Sequence, residues 1–106
     1  MSQRVKQQAH MLKYLCKAKP KAIKGVINHC DPDLLDALCE CSLNVLKGVV
    51  PLNPSQHKRL TRFKTNIRGL AKKNTSRQRQ RSLLLKGGFL QALLTPLLSV
   101  LGSFLS

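Results

Sequence analysis

Three histidines, four carboxylates and four cysteines are the first candidates for catalysis or metal binding in this chain. A general base needs an acid or a nucleophile within reach. His10, His29 and His57 have no such partner at a suggestive spacing. Asp31, Asp33, Asp36 and Glu40 fall within ten residues and read as helix-start chemistry, where carboxylates suit the positive end of the dipole. Cys16, Cys30, Cys39 and Cys41 contain no C-x-x-C pair. Cys39 and Cys41, two apart on one helix, point in different directions and cannot easily share an ion. His29 and Cys30 make a zinc site imaginable, but small core residues are the expectation. Met1 to His10 is polar and basic, so no secretory signal is expected and the thiols are expected to be reduced. The sequence predicts a protein that is not an enzyme and carries no metal or cofactor.

The remaining chemistry is charge. Nineteen Lys and Arg against four acids give +15. Residues 1–30 carry seven cations and no acid, residues 54–88 eleven cations and no acid, and residues 89–106 no charge at all. A compact state this dense in one sign repels itself unless a polyanion neutralises it. Lys58, Arg59, Arg62, Lys64, Arg68, Lys72, Lys73, Arg77, Arg79 and Arg81 are the predicted phosphate-binding set. Lys and Arg grip phosphates without reading sequence, and counterion release supplies the affinity. No aromatic residue lies among the 77–81 arginines, so stacking on single-stranded bases is poorly supported. Sequence-independent condensation of double-stranded DNA is the expectation. Lys72-Lys73 with Arg77 to Arg81 also fits a nuclear localisation signal.

These cations need helices to hold them. Nothing alternates with period two, so the fold is expected to be all-α. It should be a small bundle of about four short helices, with a basic linker and an apolar C-terminal helix. Ser2 caps a first helix carrying Val5, Ala9, Leu12, Leu15 and Cys16. Pro20 opens a second, with Ile23, Val26, Ile27 and Cys30. Asp31-Pro32-Asp33 starts the helix expected at the centre of the core, with Leu34, Leu35, Leu38, Cys41, Val45 and Leu46 inward and Gly48 at its end. Asn53 and Gln56 form a capping box for a helix running to about Lys72, striped by Leu60, Phe63, Ile67 and Leu70. The connector before it is too long for a helix-turn-helix. Ser76 caps a short basic helix, Arg77 to Lys86. The expected division is a basic helical domain at 1–72, an Arg/Lys-rich linker at 73–88 ending in Gly-Gly, and an apolar tail at 89–106.

If helical, that tail places Gln91, Thr95, Ser99, Gly102 and Ser103 on one narrow stripe. Phe89, Leu90, Leu93, Leu94, Leu97, Leu98, Val100, Leu101, Phe104 and Leu105 surround it, a surface suited to a bilayer or a tight helical partner. Eighteen residues with Pro96 inside are marginal for a span, and a tail lying in or disrupting the bilayer fits better. A terminal helix closing the core is the other reading.

The run Leu85-Lys86-Gly87-Gly88 followed by Phe-Leu-Gln-Ala-Leu-Leu-Thr-Pro-Leu-Leu resembles the precursor of the small basic core protein (mu) of adenoviruses. It is also similar to the corresponding protein of Polinton/Maverick (adintovirus) elements. The resemblance covers residues 72–106 in detail, while the first seventy residues look like the Polinton type and depart from mu. It implies a virion core or minor structural protein that condenses DNA, located in the virion and host nucleus, with capsid proteins as further partners. It also implies cleavage by a viral cysteine protease at Leu85, Gly87, Gly88 and Phe89, between Gly88 and Phe89, releasing a membrane-active tail. The alternative is a tail-anchored or membrane-disrupting cationic protein with no role on DNA.

Overall fold

Capping residues decide where this chain turns. The computed structural model describes residues 2–102, in which eight α-helices and no strand occur. They are α1 Gln3–Gln7, α2 Ala9–Lys17, α3 Pro20–His29, α4 Pro32–Leu46, α5 Pro54–Thr61, α6 Lys64–Ala71, α7 Arg77–Leu84 and α8 Phe89–Leu101. The all-α expectation holds. The Leu34 N–H donates to Asp31 Oδ1 (3.1 Å), and the Arg79 N–H to Ser76 Oγ (3.1 Å). At α5 the capping box closes both ways: Gln56 N–H to Asn53 Oδ1 (2.8 Å) and Asn53 N–H to Gln56 Oε1 (3.0 Å). Pro20, Pro32 and Pro54 each stand in the first turn, where no partner for their missing N–H is needed. Gly48, at φ +74°, ends α4 in the left-handed conformation that glycine adopts without strain.

Two helices expected to be continuous are broken. The first bends at Gln8, whose N–H is shared between the carbonyls of Arg4 and Val5 (both 3.2 Å). The helix expected from Asn53 to Lys72 parts at Arg62–Phe63. There the Arg62 and Phe63 N–H groups bond three residues back, to Arg59 and Leu60. Thr61 Oγ1 also donates to the His57 carbonyl (2.8 Å). Such back-bonding bends helices, and no glycine or proline marks the place in the sequence.

Helix α4 lies at the centre, packed on α6, α1, α8 and α7. Leu34, Leu35, Leu38 and Cys41 are buried, as the periodicity predicts, and Ala37 joins them. Two expected core residues depart: Val45 is half-buried and Leu46 is 46% exposed. The last turn of α4 runs out past its partners, since Lys47, Gly48 and Val49 are exposed with Leu46.

The largest departure is α8. Phe89, Leu90, Leu93, Leu94, Leu97 and Leu101 are all buried, and α8 packs on α2, α5 and α4. The expected partition into a basic domain, a linker and a separate apolar tail therefore does not describe the packing. The tail is the last core helix. Helix α7, in the expected linker, likewise joins the core through Leu83 and Leu84 and packs on α6, α4 and α3. The physical reason is supply: α2, α4 and α5 present enough apolar surface to cover most of α8. Its exposed residues are the weakly polar stripe of Gln91, Thr95, Ser99 and Gly102, together with Val100 in the last turn. Phe104, Leu105 and Ser103 lie outside the described residues.

Candidate nucleic-acid interface

Helices α5 and α6, with the loop to α7, carry most of the predicted phosphate-binding set. Leu60, Ile67 and Leu70 are buried and fix which side of these helices faces inward. That leaves Lys58, Arg59, Arg62, Lys64 and Arg68 exposed. Lys58 and Arg62 are four apart, as are Lys64 and Arg68, so each pair shares a helical face. Lys72 and Lys73 are exposed where α6 ends, and Arg79 is exposed on α7. Arg59 Nη2 donates to Gln91 Oε1 (3.3 Å), linking α5 to the stripe of α8.

Besides Arg59, two more of the predicted residues are already engaged. Arg77 Nη1 lies 2.7 Å from Asp36 Oδ1 and also donates to Gln80 Oε1 (3.0 Å). Gln80 is buried and donates in turn to the Thr75 carbonyl (3.3 Å). Arg81 Nε donates to the Ile27 carbonyl (3.1 Å), one of the orphan acceptors in the last turn of α3. These arginines tie α7 to α4 and α3 before they can meet any phosphate. The sequence offers no signal that separates them from Arg79, because all three repeat at the same interval.

The acids have a second role as well. Asp31 caps α4, but Asp36 and Glu40, one turn apart, reach to Arg77 and to Arg4 (3.7 Å). The carboxylates thus sit on α4 and its cap, and no acid lies on α5, α6 or α7.

Burial raises three of the thiols, Cys30, Cys39 and Cys41. Desolvation pushes Cys39 up to about 11, helped by Asp36, and Cys41 up to about 12, helped by Glu40. Cys30 is also raised, chiefly by burial. Among the described residues no three His, Cys, Asp or Glu side chains converge as a metal site would need.

The residues predicted for proteolysis form the corner between α7 and α8. Gly88 stands at φ +80° and the Phe89 N–H donates back to the Lys86 carbonyl (3.0 Å). Gly87 and Gly88 are exposed and Leu85 is half-buried. Phe89 is fully buried, its ring tilted against Phe63 with centroids 5.5 Å apart. A protease that threads an extended chain would have to open this corner first. Among the described residues no single helix is long and apolar enough to cross a membrane, and α7 and α8 meet at 87°. Of the residues predicted to face a bilayer, Leu98 is half-buried and the other described ones are in the core.

No family model, curated protein or solved structure matches this chain. The functional reading therefore rests on its own residues.

Proposed function

We propose that this chain binds double-stranded DNA without sequence preference and condenses it, acting as a structural core protein rather than an enzyme. The observation that carries the reading is the separation of charge: α5, α6 and the loop to α7 expose cations and hold no acid, while the carboxylates sit on α4 and its cap. A DNA duplex is the linear polyanion that such a surface neutralises, and bound cations release condensed counterions. The aromatic residue among these cations, Phe63, is half-buried against Phe89, so the exposed Lys and Arg around it serve phosphate contact and not base readout. The virion setting comes from the resemblance in residues 72–106.

The test is the salt dependence of binding. If about six cations meet phosphates, log Kobs against log salt should fall with a slope of about −5. Two unrelated duplexes of equal length should bind alike. Release of a membrane-active tail has less support in this fold, because cleavage at Gly88–Phe89 would withdraw a core helix rather than free an exposed one.

A further inference from the structure

A groove of about 1360 Å³ is lined by α2, α3, α8 and the α7–α8 corner; α2 and α8 pack on each other along it, with Cys16 Sγ 3.5 Å from Thr95 Oγ1. Its apolar lining comes from Ile23, Leu84, Leu85, Leu90 and Leu98. Lys13, Lys17, Lys24 and Lys86 also line it, all four exposed, and no acid does. Along α8 it follows the stripe of Gln91, Thr95 and Ser99 from Leu90 to Gly102. Twelve residues of helix rise about 18 Å, or a little over three turns.

We propose that this groove is a docking site for an amphipathic acidic helix of a partner protein. Size and charge select that occupant. Pockets for small molecules run to roughly 1,000 Å³, and this one is larger. A helix about 10 Å across and about 18 Å long encloses about 1,400 Å³, comparable to the groove. Apolar residues at i, i+3, i+4 and i+7 would meet the half-buried Ile23, Leu85 and Leu98, and carboxylates flanking them would meet the four lysines. Gln91, Thr95 and Ser99 supply hydrogen-bonding groups between the two. None of these lysines belongs to the α5–α7 set assigned to DNA, so the two surfaces can be separated by substitution.

The probe is a fluorescent synthetic peptide of about fourteen residues with leucines at that helical spacing and glutamates elsewhere. A scrambled peptide of the same composition is the control for charge attraction. The patterned peptide should bind the full chain at least about tenfold more tightly than the scrambled one, a difference of about 1.4 kcal/mol. It should also slow alkylation of Cys16, which is half-buried in the groove wall. Lys17→Glu with Lys24→Glu should weaken binding at least about tenfold. Ser99→Trp, which fills the groove from an exposed position, should do the same if the double variant does not fold. Equal binding of the two peptides, an unprotected Cys16, or unchanged affinity in the folded variants would each overturn the proposal. So would phosphatidylserine vesicles that protect Cys16 where the peptide does not, since the groove would then be a lipid site.

Discussion

Removal of α8 should unfold the rest of the chain. Six large side chains of that helix (Phe89, Leu90, Leu93, Leu94, Leu97 and Leu101) are buried against α2, α4 and α5. At about 1.5–3 kcal/mol for each fully buried side chain, their transfer amounts to about 9–18 kcal/mol. A domain of this size has only about 5–15 kcal/mol of net stability. Truncation also uncovers the side of α2 that packs on α8 and the ring of Phe63 that meets Phe89. The loss is as large as the whole net stability, so a repacked 1–88 should not recover a cooperative fold. A chain ending at Gly88 should therefore lose its sharp thermal transition by circular dichroism and bind a dye for exposed apolar surface. The intact chain should show a single transition and little dye binding. If 1–88 melts cooperatively near the parent temperature, α8 is dispensable and its placement in the core is wrong.

Three further outcomes follow from the packing. Leu38→Ala, at a fully buried position on α4, should cost about 2–5 kcal/mol in chemical denaturation. Gly88→Val should cost about 1–2 kcal/mol or more by the same measurement, because a branched side chain is strained at φ +80°. Cys41 should make stability fall at high pH: its thiol stays protonated in the fold to about 12 while the unfolded chain ionises near 9. The folded state holds the proton more tightly across that window, so stability is full below about pH 9 and declines above it, by about 1.4 kcal/mol per unit. Cys41→Ala should lower stability at neutral pH yet flatten that alkaline decline, and an equal slope in parent and variant would refute the assignment.

Much of the fold can be read in the chain because its start and stop signals are local. Asp31, Asn53 and Ser76 each need only a backbone N–H three residues on, so the starts of α4, α5 and α7 follow from sequence. The bend at Phe63 does not, since Thr61 donates to a carbonyl that any helix would offer. The place of α8 was illegible for a different reason. An uncharged helix apolar on most of its surface suits hydrocarbon and a small protein core equally well, and only the summed surface of α2, α4 and α5 decides. The candidate interface was legible as charge but not as partners. Arg77, Arg79 and Arg81 look equivalent in sequence, yet Arg77 and Arg81 are held by Asp36 and the Ile27 carbonyl while Arg79 is exposed. The lysines of the groove were hidden because Lys13, Lys17, Lys24 and Lys86 come from three separate segments.

Net charge alone would draw any protein of +15 to DNA, so the decisive measurement compares charge-matched variants. One carries Gln in place of Lys58, Arg62, Arg68, Lys72 and Lys73; the other carries Gln in place of Lys13, Lys17, Lys19, Lys21 and Lys24. Both lose the same charge, and every substituted residue is exposed. Fluorescence anisotropy on one duplex over a range of salt gives the slope for each. If α5, α6 and the following loop hold the phosphates, the first variant should flatten from about −5 towards −1, since each lost contact removes about 0.9. The second should keep a slope near that of the parent. Equal slopes in the two variants, or a larger loss in the second, would contradict the placement of DNA on α5 to α7.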